Sequence, residues 1–158
     1  MTAALAIGEP EIALVCRVGS RLCALPLPHV VETLRALPIE PIAGAPEFVL
    51  GVSIVRGEPL PVVAATRLVG DGASVHAGRF VVLKAGLRRV VFAVEGVEGV
   101  RALGPASLAT MPPLLRDASA DVIVSIGTLD GDLLLVLRSV RMVPDTVWEA
   151  LSARQAGS

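Results

Sequence analysis

Residues 48–70, FVLGVSIVRGEPLPVVAATRLVG, decide the fold. Val52, Ser53, Ile54 and Val55 are small or β-branched, which suits a half-buried pleated surface and predicts a strand. Gly57 takes positive φ without steric cost, so Arg56 and Gly57 predict a tight turn between two strands. The chain returns through Pro59 and Pro61, neither of which can donate to a ladder. The returning strand is therefore expected to enter at a sheet edge, before a helical turn over 65–69. On these residues alone, Arg56 is a solvated turn arginine.

The rest of the chain repeats this alternation of strand and turn. Residues 12–18 and 21–25 are apolar strands around Gly19-Ser20, a pair that suits a type II′ turn and sets Cys16 opposite Cys23. Two such thiols could form a redox pair or half a metal site, but no histidine stands nearby, and two buried small hydrophobes is the simpler reading. Pro26 and Pro28 bend the chain before a third extended stretch over 29–34, where Glu32 reads as one outward position among apolar neighbours. Further strands are expected at 80–84 and 90–94 around Gly86, and at 122–128 and 133–137 around Asp130-Gly131. Gly96 and Gly99 mark a bulge or a close backbone approach between them. Nothing alternates strand with long helix, so the chain reads as all-β, a barrel or a sandwich. A short helix follows Pro144, with Trp148 sealing it onto the strands.

Composition narrows the function. The 158 residues are 53% hydrophobic and 18% charged, which is globular and enough for one domain with a real core. Aromatic residues are only 3%, so Val, Leu, Ile and Ala must build that core. A net charge of −1, no basic run and few stacking rings argue against nucleic acid. Mean hydropathy is +0.71, yet the longest charge-free run, 102–115, holds Gly104, Pro105, Pro112 and Pro113, so no membrane-spanning helix is expected. The N-terminus lacks a basic leader, and the protein is expected to be cytoplasmic. His29 and His76 sit in no triad-like context, and no phosphate loop, G-x-S-x-G or HExxH occurs, so no catalytic residue, cofactor or metal is assigned.

The run LPIEPIAGAPEFVLG from Leu37, continuing VSIVRGEPLPVV, resembles the centre of CheW-like domains. So do the Val-x-Glu step at Val30 and Glu32, and VVLKAGLRRVVFAVEGVEGV in the second half. The resemblance covers about 12–142. It implies two small five-stranded SH3-like β-barrels side by side, with a binding groove between them and short helices, one of them C-terminal. The domain spans 11–143, the first barrel mainly 12–70 and the second mainly 78–137, with a flexible tail over 1–10 and a short helix and tail over 144–158. It further implies a non-catalytic adaptor coupling the signalling tip of a methyl-accepting chemoreceptor to the regulatory domain of a chemosensory histidine kinase, recruited to membrane-associated arrays without entering the bilayer. The partner-binding positions carried over are Val30, Glu32, Arg56, Gly57, Val82 and Val100. For each valine, interface contact and core packing both stay open; Glu32 and Arg56 would set register and specificity. Ile54-Val55 replaces the usual Asn-Leu, Ala64-Ala65 the usual Asp-Leu, and Glu95 a commoner Asp. These departures keep two alternatives in view: a divergent adaptor in motility or another two-component pathway, and a small β-barrel ligand-binding protein or enzyme.

Overall fold

The computed structural model describes residues 11–68, 78–103, 108–109, 123–129, 132–137, 143 and 145–156. The 1–10 tail, His76 and the Asp130-Gly131 turn lie outside them. The strands are β1 Glu11–Val18, β2 Arg21–Pro26, β3 Val30–Arg35, β4 Val49–Val55, β5 Glu58–Ala64, β6 Arg79–Ala85, β7 Arg88–Val94, β8 Gly96–Leu103, β9 Leu108–Ala109, β10 Ile123–Leu129 and β11 Asp132–Leu137. Among the described residues, helices α1 Ala65–Leu68 and α2 Asp145–Ala156 and a 3-10 turn Leu27–His29 accompany the strands of an all-β architecture. Among the described residues, no helix is long and apolar enough to cross a membrane.

The strands form two sheets, ordered β8-β1-β2-β11-β10-β9 and β3-β6-β7-β5-β4. One therefore has six strands and the other the expected five. The expected division into 12–70 and 78–137 is not the division of the sheets. The first hairpin, β1-β2, pairs with β8 and, in parallel, with β11. The hairpin β6-β7 pairs with β3 and, in parallel, with β5. Each half of the chain thus lends its first hairpin to the sheet that the other half completes. Five strands of the larger sheet, β8-β1-β2-β11-β10, follow the same pattern as β3-β6-β7-β5-β4, with β9 the addition: Val62↔Val91 in one corresponds to Leu134↔Leu22 in the other. Turns are local signals, whereas both parallel pairings join segments far apart in sequence.

This exchange buries β1, β2, β6 and β7 on both faces, which explains their nearly unbroken apolar runs. Leu14, Cys16, Val18, Cys23 and Leu25 meet Val81, Leu83, Val90, Phe92 and Val94 in a core shared by the two sheets. The alternate residues Ala13, Val15, Leu22 and Ala24 line the six-stranded sheet's own core, with Leu134 and Val136. Phe80, Val82, Val91 and Ala93 do the same for the five-stranded sheet, with Leu60 and Val62. Helix α2 lays Val147 and Leu151 into the shared core beside Val143. Trp148 packs against that core, and the Arg88 guanidinium stands 4.9 Å from the centre of its ring.

The turn at Gly19 has positive φ, 61°, and Cys16 pairs with Cys23 as the spacing predicts. Neither cysteine is in a disulfide, and both are fully buried. Strand β5 is interior, not an edge as Pro59 and Pro61 suggested. Its pairing with β7 starts only at Val62, however, so neither proline has a bond to give there. In β8, Glu98 is the extra residue of a bulge beside Gly99, and its carboxylate reaches Arg17 at 3.2 Å.

Candidate functional site

Strands β3 and β4 are the two edges of the five-stranded sheet, and the chain between them ties these edges together. Beyond β3 it runs beside β4, where Glu40 and Val52 exchange two 2.8 Å backbone hydrogen bonds. The buried Ser53 hydroxyl donates to the Pro38 carbonyl at 2.7 Å. Gly51 makes this approach possible, because a Cβ at that position would overlap the Glu40 and Pro41 backbone. The Pro-rich run before the strand is therefore part of the sheet's closure.

The last tie is ionic. Between β4 and β5, Arg56 and Gly57 both adopt positive φ, 50° and 81°, the conformation of a two-residue type I′ hairpin turn. Arg56 then reaches across to β3, where Nε donates to Glu32 Oε2 and Nη2 to Oε1, each at 2.8 Å. This is a bidentate fork onto a carboxylate. The Glu32 pKa is held below the ordinary carboxylate range, chiefly by the hydrogen bonds from Arg56, then by the charges of Arg56 and Arg89. The same pairing raises the Arg56 pKa further. Glu32 is presented by a bulge in which Val31 and Glu32 stand opposite the single residue Val82.

Of the six carried-over positions, Val30, Glu32, Arg56 and Gly57 lie on this sheet's edges and tip. Val30 is half-buried against the shared core. Val82 is 1% exposed, stands opposite Glu32 in the β3-β6 ladder and packs in the sheet's own core. Val100 lies apart, on edge strand β8 of the other sheet, 54% exposed and two rungs along the ladder from the exposed Ile12. Among the described residues, three exposed apolar side chains went unassigned by the sequence: Ile12 on β1, Ile54, two residues before Arg56, and Leu87 at the β6-β7 tip. The signal for Leu87 was available, an apolar residue following a turn glycine where polar ones are usual.

The chemistry offered is recognition. Among the described residues, no three His, Cys, Asp or Glu side chains gather as a metal site. Among the described residues, His29 Nδ1, in the turn Leu27–His29, is buried without a hydrogen-bond partner. Burial, with a smaller contribution from Glu98, pushes the Cys16 thiol up to about 12, the reverse of an activated nucleophile.

Residues 13–146 match the family described as CheW-like domain. Protein FrzA of Myxococcus xanthus is 32% identical over 135 residues, 78% of this chain and 79% of that protein. The crystal structure of the scaffolding protein TtCheW from Thermoanaerobacter tengcongensis superposes with a TM-score of 0.70 at 21% identity, over 82% of this chain and 89% of that one. The likeness is one of fold.

Proposed function

The chain belongs to the CheW-like domain family, and from that premise we propose that it is a non-catalytic adaptor joining a chemoreceptor's signalling tip to the regulatory domain of a chemosensory histidine kinase. The observation that carries this reading is the Glu32–Arg56 fork. An exposed arginine in a left-handed backbone conformation, pinned by two hydrogen bonds across the edges of a sheet, presents a rigid, charged and oriented tip. Rigid tips of this kind serve recognition, because little side-chain entropy is left to lose on binding. Ile54 beside it and Val100 on the other sheet supply exposed apolar contact, and Val82 supports the strand that holds Glu32. On this reading the protein works in the cytoplasm and reaches the membrane-associated array through its partners.

The test is co-sedimentation with a receptor signalling-tip fragment and a chemosensory kinase from the same organism, comparing wild type with Arg56→Glu. A three-part complex that the variant weakens while remaining folded supports the adaptor. Binding of the kinase alone redirects the reading to a divergent pathway and makes Ile54-Val55 and Ala64-Ala65 the next positions to exchange. Binding of neither partner sinks it.

A further inference from the structure

The hairpin β6-β7 ends in Gly86 and Leu87. Gly86 has φ 67° and Ala85 pairs with Arg88, so the loop is a closed two-residue turn. Leu87 is 106% exposed, its whole side chain standing clear of the protein. One exposed leucine means little by itself. Its surroundings change that. Lys84 and Arg89 pair directly across the hairpin, so two cations share one of its faces. Arg88 next to the tip is braced on Trp148 of α2 at 4.9 Å. The parallel pairing of β5 with β7 brings the Arg56-Gly57 tip to this same end of the sheet. Arg56, Lys84, Arg88 and Arg89 thus gather there against Glu32 and Glu58, in a chain whose net charge is −1.

We propose that this hairpin tip is a second docking element, inserting Leu87 between aliphatic side chains of an acidic amphipathic helix on a partner protein, with Lys84, Arg88 and Arg89 meeting the carboxylates that flank the helix's apolar stripe. The proposal rests on the adaptor reading and adds to it a contact that none of the six carried-over positions includes. A protein helix fits better than a lipid surface. A single leucine supplies far less than stable bilayer attachment needs. A helix face offers an apolar stripe with acids on either side at matching spacing.

The experiment uses two probes, a receptor signalling-tip fragment and a kinase regulatory domain, with wild type, Leu87→Ser and Leu87→Cys. Leu87 makes no core contact, so Leu87→Ser keeps the wild-type Tm, and it is expected to lose roughly tenfold in affinity for one probe. Cys16 and Cys23 are buried, so a thiol-reactive crosslinker on Leu87→Cys reports from the tip; it is expected to attach to an acidic helix of that probe. If Leu87→Ser binds both probes like wild type and the crosslinker captures neither, the tip proposal is overturned and the adaptor reading stands. If wild type binds neither probe, the adaptor reading fails and takes the proposal with it. Leu87-dependent binding to phosphatidylserine vesicles would overturn it in favour of a membrane contact.

Discussion

Glu32 and Arg56 stand on opposite edges of one five-stranded sheet, and two 2.8 Å hydrogen bonds join them across the gap between those edges. The arginine is the exposed partner, at 76%, and the glutamate is the sheltered one, at 23%. Solvent screens such a pair, so its value lies in orientation more than in stability. Arg56→Gly separates the two roles. Glycine adopts the turn's positive φ at no cost while deleting the guanidinium. The expected result is a Tm within about 2 °C of wild type and partner affinity down roughly tenfold, with most of the loss in association rate. Calorimetry and surface-binding kinetics on the same preparation measure both.

Acid opens the fork. The folded-state pKa of Glu32 is depressed, so the pair's contribution is fully present above the ordinary glutamate range and is lost as pH falls through the depressed value. Partner binding should therefore be flat from roughly pH 6 to 8 and fall only in stronger acid, well below the titration of an imidazole. A binding midpoint near neutrality, retained in Glu32→Gln, would show that another group controls the contact.

The turns were legible because each is written in two residues: Gly19-Ser20, Arg56-Gly57 and the glycine at 86 all close hairpins where the spacing put them. The pairing of Cys16 with Cys23 followed from one of these turns. The exchange of hairpins was not legible, since nothing in Leu22 or Val91 names Leu134 or Val62 as the parallel neighbour. Val82 and Val100 looked alike for a related reason. A strand buried on both faces, such as β6, and an exposed edge, such as β8, both read as apolar residues punctuated by glycine or charge. The left-handed conformation of Arg56 was hidden because arginine has no preference for it; the fork to Glu32 and the neighbouring Gly57 hold it there.

Two glycines of the closing segment differ in what they tolerate. At Gly51 a Cβ would overlap the Glu40 and Pro41 backbone, and the φ of 148° is unfavourable for other residues. At Gly57 there is open space and only the φ of 81° to oppose a side chain. Gly51→Ala is expected to cost upwards of about 3 kcal/mol and to lower Tm by roughly 6–12 °C. Gly57→Ala is expected to cost about 1–2 kcal/mol. Denaturant unfolding of the two variants decides the order; equal losses would mean that the edge closure at Glu40–Val52 contributes nothing.

The cysteines give an alkaline prediction. The native Cys16 thiol titrates at about 12, while an unfolded one titrates near 8.5. Between those values the native state holds a proton that the unfolded state has released, so stability falls as pH rises. The slope approaches about 1.4 kcal/mol per pH unit. Cys16→Ala lowers stability overall but flattens this slope, which unfolding curves at pH 8, 9 and 10 would reveal. In the native protein at pH 8, neither Cys16 nor Cys23 should react with a disulfide reagent until denaturant is added.

Val82 and Val100 provide the sharpest separation of packing from recognition. Val82 is enclosed in the sheet's own core with Phe80 and Val91, so Val82→Ser leaves a cavity and a hydroxyl without a planned partner. A loss of roughly 3 kcal/mol is expected, and any fall in partner binding should vanish once the folded fraction is taken into account. Val100 is 54% exposed on the edge strand, where Val100→Ser removes no core contact. Its Tm should stay within about 2 °C of wild type while affinity for receptor or kinase falls. Thermal melts paired with titrations at a temperature where both variants are folded make the comparison. If Val82→Ser loses affinity while fully folded, the strand beside Glu32 is itself part of the recognition surface, because displacing its backbone would misplace the carboxylate that orients Arg56.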